Sequence, residues 1–147
     1  MKNLILLLAI AMFSQTSFAL DANKLLNDYL LVKDALIKSD DKAAKQAVET
    51  YLTDIKKEAE FKEKKSLTKA VEKMNKATDL EKRRQAFKEV SVIMWQIVKN
   101  ANDVKGPVYY QYCPMKKAYW LSREKEIKNP YYGSSMLNCG KVSETKI

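Results

Sequence analysis

The chain has 147 residues, with 27 Lys and Arg against 18 Asp and Glu, a formal net charge of +9 and no histidine. The lack of histidine removes the usual general base, the Ser–His and Cys–His nucleophile pairs and the commonest zinc ligand. The charges alternate in sign along the chain, which is typical of a solvated helical surface and not of a nucleic-acid-binding protein. We therefore expect neither an enzyme nor a nucleic-acid partner.

Residues 1–19 are typical of a cleaved secretory signal peptide. Lys2 precedes an apolar run from Leu4 to Phe13, and an S-x-A cleavage signal ends at Ala19. The run is about half as long as a bilayer span, so we expect no stable membrane anchor. Cleavage leaves 26 basic and 18 acidic residues, a net charge of +8, in residues 20–147. We expect these residues to form a single domain in the periplasm.

Four segments between residues 20 and 100 carry apolar residues at helical spacing. This pattern predicts a mainly α fold, an antiparallel bundle of three to four helices, followed by an irregular C-terminal Cys/Met/aromatic segment. The predicted core positions are Leu25, Tyr29, Val32 and Leu36; Ala44, Val48, Tyr51 and Ile55; Leu67, Ala70, Val71 and Met74; and Leu80, Phe87, Val90, Met94 and Ile97.

Polar residues before each apolar segment predict where the helices begin. Arg83 and Arg84, in the fourth segment, are predicted to be surface charges. The fourth helix is expected to stop between residues 100 and 103, before a Gly-Pro turn. The predicted caps are Asp21 for the first helix, Ser39, Asp40 or Asp41 for the second, Ser66 for the third, and Thr78 with Glu81 for the fourth.

Residues 108–142 contain both cysteines of the chain and most of its tyrosines. Residues 108–112 are β-branched or aromatic and are expected to be extended, and Pro114 is expected to begin a helix through Trp120. That helix would place Cys113 at its N-terminus, where the helix dipole favours a thiolate. Ser134 or Ser135 is expected to cap a short helical turn that ends at Gly140 and carries Met136 and Cys139 on one face.

Two sulfur pairs, Cys113 with Met115 and Met136 with Cys139, predict a soft-metal site. Thiolates and thioethers are soft donors that, in a chain without imidazole, select Cu(I) over Zn(II). Ag(I) is the alternative cargo, and no ion is expected to be essential for folding. Four aromatic residues are predicted to form an apolar lid over this site: Tyr112, Trp120, Tyr131 and Tyr132.

A disulfide between Cys113 and Cys139 is the competing interpretation, because exported proteins with two cysteines most often join them. In the chain-entropy model such a bridge stabilises the fold by roughly 3 to 4 kcal/mol. It gives Met115 and Met136 no role, and a shared metal site is compatible with a disulfide in the metal-free protein. The alternative function is a metal-free, disulfide-stabilised helical module that binds a periplasmic protein or an envelope partner.

Several motifs resemble those of the DUF3347 family, a bacterial domain of unknown function. They are YCPM at 112–115, WLS at 120–122, I-x-NPYYG at 127–133, ML-x-CG-x-V at 136–142 and Y-L-x-x-K-D-A-L at 29–36.

Members of that family occur alone after a signal peptide or fused to periplasmic adaptor subunits of resistance-nodulation-division heavy-metal efflux systems. The resemblance implies copper or silver handling with Cys113, Met115, Met136 and Cys139 as ligands. The implied partners are a heavy-metal efflux adaptor or another periplasmic copper protein. The chain lacks the β-rich adaptor portions, so we expect a free metal carrier.

Overall fold

The computed structural model describes residues 19–147, in which helices come first and a small sheet follows. The predicted mainly helical fold is confirmed, whereas the signal peptide prediction falls almost entirely on residues outside the described part. Between residues 19 and 147 no helix is long and apolar enough to cross a membrane. The elements are α1 (Ala22–Ile37), α2 (Asp41–Lys57), α3 (Lys64–Asn75), α4 (Leu80–Asn100), β1 (Val108–Cys113), β2 (Ala118–Ser122), a 3-10 turn (Gly133–Met136) and β3 (Lys141–Lys146).

Aspartates cap three of the four helices by accepting a backbone N–H three residues later. The predicted caps Asp21 and Asp40 are confirmed, but α4 is capped by Asp79 and not by Thr78. The predicted cap Ser66 is also wrong, because α3 begins two residues earlier, and the Ser66 hydroxyl donates to the Glu63 carbonyl inside the helix.

The core lies where α1 packs on α2 and α4, and where α3 packs on α2 and α4. Every predicted core residue is buried except Leu80, which is half-buried. Met74 and Met94 are both 0% exposed, which confirms them as core residues. Burying one such large apolar side chain stabilises the fold by about 1.5 to 3 kcal/mol. The antiparallel direction of the bundle stays a prediction.

Within residues 108–146 three strands form an antiparallel sheet of order β2-β1-β3, which the prediction of an irregular segment did not include, whereas residues 123–140 between β2 and β3 contain no strand. The helix predicted from Pro114 to Trp120 is wrong. The Lys117 N–H donates to the Pro114 carbonyl over 3.2 Å, and Lys117 adopts a φ of 48°, so the chain reverses direction here. The aromatic residues after this turn then pair with β1, with Tyr119 opposite Tyr112.

Arg83 is a buried structural residue, which contradicts the prediction that it is a surface charge. It is 1% exposed, and its Nε donates to Asp41 Oδ1 over 3.0 Å. Its two terminal nitrogens donate to the carbonyls of Met74 and Ala77 at the end of α3. The guanidinium thus adds donors to carbonyls at the C-terminal end of α3, where donors within the helix run out, and joins α2, α3 and α4.

A buried set of hydroxyl groups joins the sheet to the helices. Tyr29 in α1 lies 2.7 Å from Ser91 in α4, and the Tyr29 hydroxyl accepts the Leu121 N–H of β2 over 3.1 Å. The Tyr131 hydroxyl donates to the Tyr119 carbonyl, also in β2. Burial raises the pKa of Tyr29 and of Tyr131, so both phenols remain protonated donors. These bonds hold β2, and through it the whole sheet, on α1 and α4.

Candidate metal centre

The two cysteines meet beside the turn that joins β1 to β2. Cys113 is the last residue of β1 and is 0% exposed, whereas Cys139 is half-buried just before β3. Their Sγ atoms are 3.0 Å apart and both cysteines are free. A disulfide bond is about 2.05 Å long. The predicted disulfide is therefore not formed, and the distance is that of a sulfur–sulfur hydrogen bond.

Asn129 organises the loop that brings Cys139 to this position. It is 0% exposed, and its side-chain amide donates to the Cys139 carbonyl over 2.7 Å. Its own N–H donates to the Leu137 carbonyl, and its side-chain oxygen accepts the Tyr131 N–H. Asn129 was not among the predicted site residues, although its place before a proline in the NPYYG motif was the available signal.

Gly140 allows the chain to pass close to the ring of Trp120 directly after Cys139. A Cβ atom at this position would lie 2.7 Å from Trp120 Cη2 and 3.0 Å from the Tyr112 carbonyl oxygen. Both distances are too short for a side chain, so only glycine fits without displacing β1 or Trp120. The close approach places Cys139 level with the end of β1.

Arg84 attaches the loop of the site to the helices. Its Nε donates to the Pro130 carbonyl, and its Nη2 donates to the Leu36 carbonyl and to Ser39 Oγ, all over 2.9 Å. Gly133 comes so close to this contact that a Cβ atom there would lie 2.8 Å from Arg84 Nη2. Arg84 thus connects α4, the C-terminal end of α1 and the loop, where the sequence predicted a surface charge.

The environment of Cys113 favours a thiolate. Burial acts to raise the pKa of Cys113, but hydrogen bonds from the Cys139 thiol, the Lys116 and Met115 N–H groups and the Asn129 amide together lower it below the ordinary value. The pKa of Cys139 is raised, chiefly because its thiol donates to Cys113. Cys113 is therefore the first of the two thiols to lose its proton. The cause differs from the one expected, because the Cys139 thiol and the N–H groups of a turn, and not a helix N-terminus, lower the pKa of Cys113.

The predicted methionine ligands lie in the same two turns as the cysteines. Met115 is 64% exposed in the turn after Cys113. Met136 is half-buried in the 3-10 turn, and its carbonyl accepts the Cys139 N–H over 3.2 Å. Within residues 19–147 no three Cys, Asp or Glu side chains form a possible metal-binding group. The ligand roles of both thioethers stay predictions.

The aromatic residues predicted as a lid have two kinds of environment. Trp120 and Tyr131 are buried and meet edge to face, with ring centroids 6.1 Å apart. Tyr112 and Tyr132 are half-buried: Tyr112 packs on Tyr119 in β2, and the Lys116 ammonium lies 4.5 Å from the centre of the Tyr132 ring. The cation that contacts an aromatic ring in this region is therefore the Lys116 ammonium, on Tyr132. The lid role itself stays a prediction.

Residues 25–106 match the model of a family described as "Protein of unknown function (DUF3347)". The matched stretch covers more than half of the chain. The chain belongs to the DUF3347 family. No curated protein and no solved structure matches it.

In this DUF3347 protein the matched residues run from α1 to the turn before β1. They include the predicted pattern at residues 29–36, together with Arg84 and Ser91, which contact the loop of the site. The two cysteines and the four C-terminal motifs lie beyond the match. The family match therefore covers the helical support of the site and not the thiols.

Proposed function

We propose that this DUF3347 protein is exported to the periplasm and binds a soft metal ion there, Cu(I) or alternatively Ag(I), for sequestration or delivery. One observation carries the proposal: two cysteines 26 residues apart in the sequence have their sulfurs 3.0 Å apart in the fold. The helices, arranged as the antiparallel bundle that their short connections favour, act as the rigid support. A heavy-metal efflux adaptor or another periplasmic copper protein is the proposed partner.

The arrangement of protons at the two thiols suits metal capture. Cys113 is the more acidic of the two thiols, so an ion that binds it first then displaces the proton that Cys139 donates to it. If its bonds to sulfur are about as long as the 2.3 Å of zinc–thiolate bonds, the two sulfurs must separate by roughly 1 Å. Cys113 is fixed at the end of β1, so Cys139, which lies in the loop, is the sulfur that moves.

The thioethers supply the preference for Cu(I). Zn(II) favours thiolates and nitrogen donors, whereas Cu(I) accepts thioethers readily. Met115 is exposed and only two residues from Cys113, so it is available to an ion that arrives from a chelator or a partner protein. Two thiolates and one monovalent cation leave a charge of −1, and the exposed Lys117 and Lys141 beside the cysteines offset it.

Removing both thiols tests the proposal. The Cys113→Ser/Cys139→Ser variant and the reduced wild-type protein are titrated anaerobically against a coloured Cu(I) chelator. We expect the wild-type protein to withdraw one equivalent of Cu(I) and the variant to withdraw none. The far-UV circular dichroism of the variant should show the helical content of the wild type, since all four helices lie outside the site. Equal Cu(I) binding by both proteins would refute the proposal.

A further inference from the structure

The segment around α3 carries an excess of positive charge. Residues 62–76 contain six lysines and two glutamates, a net charge of +4. This stretch therefore carries half of the net charge of +8 of residues 20–147. Half of the net positive charge thus lies on one helix and its flanking residues, although charges of both signs alternate along the chain as a whole.

The fold arranges these lysines on one surface. Leu67, Ala70, Val71 and Met74 face inward, where α3 packs on α2 and α4. The opposite side of the helix carries lysines three or four residues apart, so they lie one above another. We call these residues the lysine stripe. Its members, all exposed, are Lys62, Lys65, Lys69, Lys73 and Lys76.

Few members of the lysine stripe form an ion pair in the described part of the chain. Lys73 pairs with Glu89 over 3.6 Å, and both side chains are more than half exposed. The other four members form no ion pair within residues 19–147. The nearby ion pairs of α3, Lys56–Glu72 and Lys64–Glu60, use lysines outside the stripe. The stripe thus presents uncompensated charge to the solvent.

The composition of the stripe indicates the kind of partner. Residues 62–76 contain no arginine and no aromatic residue, so they offer neither bidentate phosphate contacts nor a surface on which bases stack. Lysine ammonium groups act as hydrated point charges, and a row of them on a convex helix suits a broad negative surface. An anionic bilayer is such a surface.

We propose that the lysine stripe of α3 docks the protein on an anionic phospholipid surface. Each lysine near such a surface strengthens binding about fivefold at moderate salt. None of the residues of the thiol site lies on α3, so docking through α3 does not involve Cys113 or Cys139. The inference goes beyond the proposed function and does not depend on metal binding.

Vesicle sedimentation tests the docking with the full chain and no metal. The vesicles are phosphatidylcholine with about one third phosphatidylglycerol, and pure phosphatidylcholine serves as the reference. The control variant loses the same number of positive charges, four, from exposed lysines outside the stripe. It therefore distinguishes an effect of the lysine stripe from an effect of total charge. The stripe variant is Lys65→Gln/Lys69→Gln/Lys73→Gln/Lys76→Gln, and the control is Lys42→Gln/Lys45→Gln/Lys105→Gln/Lys125→Gln.

We expect the wild type to bind the anionic vesicles and not the neutral ones, and to be released by salt. The stripe variant should lose at least roughly tenfold in vesicle partitioning, and the control variant less than about threefold. An equal loss in both variants would overturn the proposal, as would equal binding to both kinds of vesicle. Binding to soluble polyglutamate without binding to anionic vesicles would also overturn it and indicate an acidic protein partner.

Discussion

At the scale of single residues, the two thiols differ because their hydrogen-bond partners differ. The Cys139 thiol, the turn N–H groups and the Asn129 amide lower the pKa of Cys113, whereas the hydrogen bond to Cys113 is the chief cause that raises the pKa of Cys139. The same contacts that favour one thiolate therefore oppose the second. The pair titrates as a unit, with one step below and one step above the ordinary thiol range.

This asymmetry predicts how stability depends on pH. The folded pKa of Cys113 is lowered, so its contribution is present above its unfolded pKa and is lost as the pH falls through the folded pKa. The folded pKa of Cys139 is raised, so its contribution is present below its unfolded pKa and is lost as the pH rises through the folded pKa. The combined contribution is therefore largest near the unfolded thiol pKa of about 8.5.

Urea unfolding at a series of pH values measures this contribution. The quantity is the free energy of unfolding of the reduced wild type minus that of the Cys113→Ser/Cys139→Ser variant. We expect a maximum near pH 8.5 and a decrease on both sides. A difference that does not change with pH would show that the two sulfurs do not share a proton in solution.

The methionines separate a copper site from a general thiol site. Met115→Ala and Met136→Ala are each expected to weaken Cu(I) binding in chelator competition and to leave Zn(II) binding nearly unchanged. Met74→Ala and Met94→Ala remove core side chains, so they should cost about 2 to 5 kcal/mol of stability without changing the metal preference. Met115 is exposed, so its loss leaves stability unchanged. If Met115→Ala and Met136→Ala leave Cu(I) affinity intact, the thioethers are not ligands.

At the scale of the elements, the site depends on how closely the loop before β3 crosses Trp120. Gly140→Ala places a methyl group against the Trp120 ring and the Tyr112 carbonyl, so Cys139 should move away from Cys113. We expect a lower melting temperature and weaker Cu(I) binding. Gly106→Ala is the matched control, because Gly106 also has a positive φ of 74° but has only Arg123 nearby, at 3.9 Å. An equal effect of both substitutions would assign the cost to backbone strain alone.

The helices could be predicted from the sequence because each buries one side, which leaves a local apolar period. The apolar positions from Leu25 to Leu36, for example, can be recognised without knowing which helices they pack against. The strand β2 was missed because Cys-Pro-Met-Lys-Lys was interpreted as a helix start. The turn there requires Lys117 to adopt a left-handed backbone conformation, which a lysine in the sequence does not indicate. The paired aromatic residues on either side, Tyr112 and Tyr119, were the usable signal.

The candidate site was predictable in part. Sequence reasoning brought Cys113 and Cys139 together on their chemistry alone, and the fold places their sulfurs in contact. It missed Asn129 and Arg84, because both bind backbone carbonyls that approach them only in the tertiary structure. A polar residue that binds main-chain atoms of a distant segment produces no periodic pattern in the sequence, so its role cannot be predicted from spacing.

At the scale of the whole molecule, Arg84 makes the candidate metal site depend on the helices. Arg84→Lys keeps the positive charge. A single ammonium group, however, cannot donate to the Pro130 carbonyl on one side and to the Leu36 carbonyl and Ser39 Oγ on the other. We expect a loss of about 1 to 3 kcal/mol from the carbonyls left without a donor, together with weaker Cu(I) binding. Lys82→Ala, an exposed position on the same helix, is the control. If Arg84→Lys lowers the melting temperature without changing Cu(I) affinity, the loop holds its shape independently of α4.

The hydrogen bonds between α1 and the sheet also have a kinetic consequence. The Tyr29–Leu121 bond closes a loop of 92 residues, and the Arg123–Asn23 bond closes one of 100. Closing loops of this length is slow compared with forming helices and local hairpins, so these contacts form near the end of folding. Until then β2 has no fixed place on α1 and α4. If the site works as proposed, an exported molecule gains the rigid support of its two thiols only once these long-range contacts have formed.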